Sequence, residues 1–260
     1  MSGFSVDWLD LRAAADGRAR ALDLLAELAP HRTSPAEVVD LGAGSGATLR
    51  ALAPHLPGAR WCLVDADADL LAEAERRAKA AGITVTTRCA DLTRNPAPWT
   101  GRPALVTASA LFDLASPAFI AAFAQAAAAA AVPVLAMLTF DGRLSLTPPH
   151  PLDAAMVDAF NTHQRGEKSF GRAAGPDAPQ HLAEAFAAHG YRVIARDTPW
   201  RLEAGRDDAL IAATIDGWAG AAREVASEPA AAIAAWRAAR LAATDTLLVG
   251  HRDQLFLPPR

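Results

Sequence analysis

Cysteine is scarce in this 260-residue sequence, which contains two cysteines and a single tyrosine. Cys62 and Cys89 lie in strand-like runs, with no Cys-x-x-Cys or Cys/His spacing. We therefore expect two buried free thiols in a reducing compartment, not a disulfide framework. No two histidines have metal-ligand spacing together with a carboxylate, so we predict no catalytic metal.

The sequence also lacks an excess of basic charge and an uninterrupted apolar run. Its formal net charge is −4, which argues against a protein that binds nucleic acid through a broad basic face. The most apolar stretch, residues 118–138, is interrupted by Gln125 and Pro133, and this pattern predicts a helix and then a buried strand, not a membrane span. The acidic N-terminus has no apolar signal-peptide core, so we expect a cytoplasmic protein without a membrane partner.

Strand and helix patterns alternate along the first half of the chain. A helical pattern over 15–30 ends at Pro30, and the strand patterns that follow are near-continuous apolar runs. Such runs, each joined to the next by a helix, predict a parallel sheet that is covered on both faces. The predicted strands are 36–41, 60–66, 83–89, 103–109 and 132–140, with two more at 191–197 and 246–258.

A glycine-rich turn follows the first predicted strand. Gly42, Gly44 and Gly46 alternate there, which lets the backbone approach a ligand at the carboxyl end of the strand. The subset Gly42-x-Gly44-x-x-Ala47 also fits a dinucleotide fingerprint. Asp40, however, would face the pyrophosphate of a dinucleotide. A carboxylate there favours a ligand with an ammonium group, such as the amino-acid end of adenosylmethionine.

Two more carboxylates follow the next two predicted strands. Asp65 ends the second strand, where a carboxylate can accept hydrogen bonds from both ribose hydroxyls of either ligand class. Asp91 follows the third strand, where it could bind the exocyclic amine of adenine beside an apolar wall at Leu92. Three acids at three successive strand ends therefore predict an adenosine-binding site.

The stretches VVDLGAGSG, LVDADADLL, CADL and LVTASALFDL together resemble the motifs of the class I (Rossmann-like) S-adenosylmethionine-dependent methyltransferases. The resemblance is closest over residues 35–140 and looser over the last two strands. It implies an α/β fold with a doubly wound, seven-stranded, mostly parallel sheet, whose last strand is antiparallel, and helical insertions over the carboxyl ends of the strands. It also implies S-adenosylmethionine as the cofactor.

The resemblance assigns the cofactor to particular positions. It implies the methionine moiety at Asp40, Gly42, Ala43 and Gly44, the ribose at Asp65, the adenine near Ala66, Asp91 and Leu92, and the sulfonium above Ser109, Ala110 and Leu111. TASALFDL has no Asn/Asp-Pro-Pro-Tyr/Phe motif, which argues against methylation of DNA, rRNA or a release-factor glutamine. We therefore expect a small-molecule acceptor, and O-methylation because oxygen is the commonest acceptor atom in this fold class.

We interpret residues 1–260 as a single methyltransferase domain. Its expected parts are an N-terminal helical segment at 1–34, a cofactor-binding core at 35–140, a substrate or lid insertion at 141–180, and a helical insertion at 207–243 before the last strand. We expect the acceptor at the lid insertion, because its concentrated polar side chains suit an anionic acceptor with His163 as the base. A solvated connector is the alternative. The candidate acceptor residues are Phe112, Asp113, His150, Asn161, His163, Gln164, Arg165 and Lys168, and Trp8, Leu9 and Arg12 could cap the cofactor.

Two other functions remain open at this point. An NAD(P)-dependent oxidoreductase would use the glycine turn, but Asp40, Asp91 and the lack of a Tyr-x-x-x-Lys motif oppose it. A non-catalytic subunit of methyltransferase fold would bind a partner protein. Helices over 207–243, with Trp218 and Trp236, could form a partner or homodimer face, or they could belong to the core.

Overall fold

The computed structural model describes residues 5–31 and 36–259. Its helices and strands alternate along most of the chain, as the apolar pattern predicts. In chain order they are α1 (Val6–Ala19), β1 (Glu37–Leu41), α2 (Ala47–Leu52), β2 (Arg60–Asp65), α3 (Ala68–Ala80), β3 (Val85–Cys89), β4 (Leu105–Ser109), α4 (Pro117–Ala129), β5 (Val134–Thr147), α5 (Asp153–Gln164), β6 (Glu167–Lys168), β7 (Gly171–Arg172), α6 (Ala178–Ala188), β8 (Arg192–Asp197), β9 (Trp200–Glu203), α7 (Asp208–Val225), α8 (Ala230–Ala242) and β10 (Thr246–Leu257). Short 3₁₀ helices cover Leu22–His31, Ala53–His55 and Gly175–Asp177.

The main sheet has the strand order β3-β2-β1-β4-β5-β10-β8, and β9 also pairs with β10. Strands β1 to β5 pair in parallel, whereas β10 runs antiparallel to β5, β8 and β9. The predicted doubly wound, mostly parallel sheet with an antiparallel last strand is therefore confirmed. Strand β9 is an addition that the sequence pattern did not indicate; it extends the line of β8 along the first half of β10.

Apolar side chains pack on both faces of the sheet and beyond one end of it. One face packs against α4 and α6 around Phe123 and Phe186, and the other packs against α2 and α3 around Leu49 and Leu71. A third cluster joins α5, α7 and α8 to the outer halves of β5 and β10. Trp218 and Trp236 are fully buried in this cluster, so these two side chains belong to the core and offer no face to a partner.

Strand β5 is longer than the pattern predicts. The prediction ends it at residue 140, but it continues to Thr147 because β10 pairs with it over its whole length. Beyond Phe140 its residues alternate between exposed and buried, as expected of a two-stranded ribbon outside the main sheet. The first seven residues of the predicted lid insertion are therefore strand.

The predicted helix over 15–30 is wrong. Helix α1 starts at Val6 and ends at Ala19, and Arg20 adopts an extended backbone with φ −56° and ψ 133°. The next amide, that of Ala21, donates a hydrogen bond of 2.9 Å to Oδ2 of Asp253. A side chain 232 residues away in sequence therefore diverts the chain, and no local pattern could have indicated this.

The two thiols differ in exposure. Cys62 in β2 is buried, as predicted, whereas Cys89 at the end of the edge strand β3 is exposed. The expectation of two buried thiols is therefore wrong for Cys89, because an edge strand has a neighbour on one side only. The apolar stretch 118–138 forms α4 and the start of β5. Over the described ranges, no helix has both the length and the apolar character needed to span a bilayer.

Candidate active site

A cavity of about 520 Å³ lies at the carboxyl ends of β1, β2 and β4, beside the glycine turn. We call it the glycine-turn cavity. Every residue that was predicted to contact the cofactor lines it, except Asp40. These residues are Gly42, Ala43, Gly44, Asp65, Ala66, Asp91, Leu92, Ser109 and Leu111. Strand ends that are distant in sequence thus converge on one space, as expected at the carboxyl edge of an open parallel sheet.

The glycines of the turn are required by both conformation and space. Gly42 and Gly44 have φ angles of +62° and +51°, in the left-handed region that other residues avoid. A Cβ at Gly42 would lie 3.1 Å from Leu111, and a Cβ at Gly44 would lie 3.1 Å from Leu9. The turn therefore keeps a narrow strip of backbone open along the cavity, and a Cβ would fill that strip.

Asp65 holds the turn in place. Its Oδ2 accepts a hydrogen bond from the Gly44 amide at 2.8 Å, and its Oδ1 accepts one from the Asp67 amide at 3.0 Å. The carboxylate is buried and lies in the cavity wall. Two carboxylate oxygens have about four acceptor sites, so Asp65 can still accept hydrogen bonds from a ligand.

Asp40 lies behind the turn and does not line the cavity. It is fully buried, and its Oδ1 accepts a hydrogen bond of 2.7 Å from the Thr107 hydroxyl. Its Oδ2 has no hydrogen-bond partner among the described residues. Burial raises the pKa of Asp40 from its ordinary value of 3.8 to about 7, opposed by the Thr107 hydrogen bond and by the charge of Arg20.

Asp91 lies at the open rim of the cavity. It is exposed, and its Oδ1 accepts hydrogen bonds from the Thr93 amide at 2.9 Å and from the Thr93 hydroxyl at 2.6 Å. These hydrogen bonds lower its pKa, so the carboxylate is ionised near neutral pH. Leu92, the next residue, is buried and contributes an apolar wall.

A buried guanidinium, which the motifs did not indicate, also lines this cavity. Arg20 is 8% exposed, and its Nη1 lies 3.3 Å from Sδ of Met137. It makes no ion pair with a carboxylate in the part of the chain that the structure describes. Burial lowers its pKa, although the charges of Asp16, Asp253 and Asp40 oppose that effect. A buried cation without a carboxylate partner is costly, which favours an anionic ligand group here.

A second cavity, of about 210 Å³, adjoins the first. Three residues, Arg12, Ala110 and Leu114, line both. We call the second space the aromatic cavity, because its walls are mainly rings. These are Trp8, Phe140, Phe160, Trp200, Trp218 and His251, and the polar lining also includes Asp113, Gln164 and Thr214.

Three titratable groups line the aromatic cavity. Burial raises the pKa of Asp113 to about 6, opposed by backbone amides and by the charges of Arg12 and Lys168. Burial lowers the pKa of His251 to about 3, so its imidazole is neutral at pH 7. The Arg12 guanidinium is paired with Asp16 through a 2.9 Å contact and lies 4.8 Å above the Trp200 ring.

The wall between the cavities contains unusual backbone. Ala110 has a φ of +50° and Leu138 has a φ of +51°, which non-glycine residues rarely adopt. The amide of Ala110 donates to the Met137 carbonyl at 2.9 Å, and that of Leu138 donates to Oδ1 of Asp253 at 2.6 Å. Such conformations cluster at functional sites, where the surrounding structure holds them in place.

The polar residues predicted to bind the acceptor are mostly elsewhere. Gln164 lines the aromatic cavity, and Trp8, Leu9 and Arg12 of α1 line one or both cavities as anticipated. His163 lines neither, because its Nε2 turns to Glu224, 3.3 Å away. Four others also lie outside both cavities: His150 accepts a hydrogen bond from the Leu152 amide, Asn161 donates to the Gly142 carbonyl, Arg165 pairs with Asp177, and Lys168 lies in β6.

Phe112 is also absent from both linings. It is fully buried, and its ring centroid lies 5.1 Å from that of Phe123 in the core. Its neighbour Asp113, named with it as a candidate contact, does line the aromatic cavity. The aromatic walls were missed because rings in strands and helices are typical of core positions. Phe160 and Gln164 lie four residues apart on α5, and this spacing places both lining residues on a common face of the helix.

The comparisons with known proteins agree with this architecture. Residues 38–133 match the family model of a methyltransferase domain. A cyclopropane-fatty-acyl-phospholipid synthase-like protein from Lactobacillus casei is similar in structure, with a TM-score of 0.56 and 16% identity, over 96% of this chain and 94% of that one.

A second solved structure is a methyltransferase from Geobacter sulfurreducens in complex with S-adenosylhomocysteine, with a TM-score of 0.52 and 17% identity over 100% of both chains. At these identities the similarity shows the fold alone. A search of curated proteins found no match to the chain.

Proposed function

We propose that this chain is a class I S-adenosylmethionine-dependent methyltransferase and that it methylates a hydroxyl oxygen of a small molecule. The methyltransferase-domain match over residues 38–133 and the fold support this proposal. The observation that carries the proposal is the junction of two cavities at Arg12, Ala110 and Leu114. Methyl transfer needs the donor and the acceptor to be held in line, and two adjoining cavities can hold them in this way.

The glycine-turn cavity fits S-adenosylmethionine in shape and in chemistry. Asp65 would accept the ribose hydroxyls, Asp91 the adenine amine, and the open strip at Gly42 and Gly44 would receive the methionine moiety. Arg20 would pair with the ligand's carboxylate, because a buried guanidinium gains most from a charged acceptor. When bound, the cofactor supplies an activated methyl group on sulfur.

Asp40 acts from behind this site in our proposal. It accepts a hydrogen bond from Thr107 on β4 and lies near Arg20, so it fixes the base of the turn beneath the methionine moiety. This role replaces direct contact with the ligand's ammonium group.

We place the acceptor in the aromatic cavity. A largely apolar space of about 210 Å³ accepts a small molecule, whereas the polar side chains of 141–180 are engaged mostly with one another and with nearby carboxylates. Helix α1 covers both cavities with Leu9, Arg12 and Trp8, and it would exclude water from the junction.

Ion pairs hold α1 at both ends. Asp10 accepts from Arg77 of α3 at 2.8 Å, and Arg18 donates to Asp207 at 2.6 Å. We therefore assign the covering role to α1 and not to the 141–180 segment.

Isothermal titration calorimetry with S-adenosylhomocysteine and with NADH tests this function. We expect S-adenosylhomocysteine to bind and NADH not to bind. Asp65→Ala should weaken S-adenosylhomocysteine binding at least about tenfold, because charge-assisted hydrogen bonds to ribose and to Gly44 are lost together. Asp69→Ala, which changes an exposed carboxylate four residues away, is the matched control. NADH binding without S-adenosylhomocysteine binding would favour the oxidoreductase alternative and overturn the proposal.

A further inference from the structure

The rings of the aromatic cavity form a continuous wall. Phe140 and Phe160 meet edge to face, with centroids 5.6 Å apart, and Phe160 meets Trp218 at 5.8 Å. On the other side the Trp200 ring lies 5.1 Å from that of His251. The volume of about 210 Å³ is somewhat larger than the ~150 Å³ cavity that binds benzene. The space therefore suits one aromatic ring or a small fused pair, and it is too small for a long chain.

The charges around this space favour a neutral ligand. Arg12 is already paired with Asp16, and its guanidinium forms part of the wall over Trp200, so a cationic ligand would meet a like charge. A ligand carboxylate would be repelled by the Asp113 carboxylate. The neutral imidazole of His251 adds no charge. Lys168 of β6 lies near enough to act on Asp113 but does not line the cavity.

Three polar atoms of the lining residues lack partners among the described residues. Oδ1 of Asp113 accepts no hydrogen bond, Nε1 of Trp8 donates none, and Nδ1 of His251 has no partner. Buried polar groups in native proteins are nearly always satisfied, so unpaired atoms that meet in one cavity wall favour a polar ligand group there. A ligand that complements Asp113 and Trp8 has a hydroxyl to donate and a further oxygen or ring nitrogen to accept.

Building on the proposed function, we propose that the aromatic cavity binds a phenol or hydroxylated heteroaromatic ring, and that Asp113 accepts the proton of its hydroxyl group. The hydroxyl oxygen forms a bond to the methyl carbon while its proton passes to the Asp113 carboxylate. The sulfur–methyl bond breaks, and its electron pair stays on sulfur, so S-adenosylhomocysteine remains. Asp113 then returns the proton to solvent, and no other reactant is consumed.

One glycine of the lining gives a direct way to fill this cavity. Gly217 of α7 lines it, and a Cβ at that position would meet no atom within 4 Å. Gly217→Leu should therefore place a side chain in the space without a clash with the backbone. Gly220 lies one turn further along the same helix with equally open surroundings, and it does not line the cavity. Gly220→Leu is the matched control.

The test measures binding of 4-nitrophenol to the full chain by ligand-observed NMR, with S-adenosylhomocysteine present. We expect the wild type and Gly220→Leu to bind it, and Gly217→Leu to lose at least tenfold in affinity. Tetramethylammonium, a cation of similar size, should not bind. Retained affinity in Gly217→Leu, or preference for tetramethylammonium, would overturn the proposed acceptor class.

The absorbance of bound 4-nitrophenol reports its ionisation and tests Asp113 separately. An ionised Asp113 opposes a phenolate beside it, so we expect the bound phenol to have a higher pKa in the wild type than in Asp113→Asn. Equal pKa values would remove Asp113 from the role of proton acceptor. Calorimetry with S-adenosylhomocysteine on the same samples separates the two proposals. If the wild type does not bind S-adenosylhomocysteine, the proposed function is refuted. If it binds S-adenosylhomocysteine but not 4-nitrophenol, only the acceptor class is refuted.

Discussion

The glycine-turn cavity and the aromatic cavity share a wall but are assembled in opposite ways. The first is built mainly from the residues that directly follow β1, β2, β3 and β4, so each contribution is a short, continuous stretch. The second takes scattered side chains from α1, β5, α5, β9, α7 and β10, together with Ala110, Asp113 and Leu114 after β4. The comparison indicates that the fold itself supplies the proposed cofactor site, whereas the proposed acceptor site depends on additions packed around it.

The two cavities also differ in how their charged groups are arranged. The glycine-turn cavity holds Asp65 and Asp91 at one end and the unpaired Arg20 at the other, which suits a ligand with separate polar ends. In the aromatic cavity Arg12 is paired with Asp16, and Asp113 is a carboxylate without an ion pair among the described residues. Changes to one cavity should therefore leave ligand binding in the other intact.

Among the substitutions that should affect one cavity and not the other, Asp113→Asn should have the largest effect. We expect kcat with the best phenol to fall about 10²- to 10⁴-fold, because the proton acceptor is lost. In the wild type, Asp113 must be ionised to accept a proton, so kcat should fall as the pH drops below about 6. That acid limb should vanish in the variant. The affinity for S-adenosylhomocysteine should not change, and a parallel loss in both readouts would show that the cavities are not independent.

The second prediction concerns Asp40, behind the glycine-turn cavity, and the pH dependence of the protein's stability. Asp40 has a raised pKa of about 7 in the fold, whereas its ordinary value is 3.8. Between these values the unfolded chain binds fewer protons than the folded chain, so rising pH destabilises the fold. Over pH 5 to 7 this effect is on the order of 2 kcal/mol. Between pH 5 and 7 the free energy of unfolding, measured in urea, should therefore fall less in Asp40→Asn than in the wild type, and the difference should be of this size. An unchanged pH dependence would contradict the buried, protonated state of Asp40.

A smaller effect should come from Arg20→Met, and it tests the anionic end of the cofactor. We expect S-adenosylhomocysteine to bind about 10- to 100-fold more weakly, because a hydrogen-bonded charge pair is lost. Methylthioadenosine, which lacks the amino-acid carboxylate, should bind the variant as it binds the wild type. Arg223→Met is the control, since Arg223 is exposed on α7 and lines neither cavity. Equal losses for both ligands would refute the assignment.

The contrast between the cavities also explains what the sequence could predict. The positions of the central strands and the residues around Gly42, Asp65 and Asp91 follow from local patterns, because each strand end carries its own contribution to the site. Arg20 was missed because the side chain of Asp253, far along the chain, ends α1 and so fixes where Arg20 lies. The extension of β5 was missed for a similar reason, since its partner is the last strand of the chain.

The acceptor side was predictable only in fragments. Asp113 was named from its place after β4, and Gln164 as one of the polar side chains of 141–180, yet Phe140, Trp200 and His251 carry no local mark of function. The polar concentration around His163 indicated a site, but His163 contacts Glu224 and Arg165 pairs with Asp177, while His150 accepts a hydrogen bond from the Leu152 amide. The aromatic residues that line the cavity are of the same types as those in the core, and only the tertiary packing distinguishes the two groups.

The most direct test of the central claim is an interligand nuclear Overhauser experiment on the ternary complex with S-adenosylhomocysteine and 4-nitrophenol. If the two cavities hold the donor and the acceptor side by side, cross-peaks should connect the methylene protons beside sulfur with the ring protons of the phenol. Simultaneous binding without such cross-peaks, or competition between the two ligands for one site, would contradict the account.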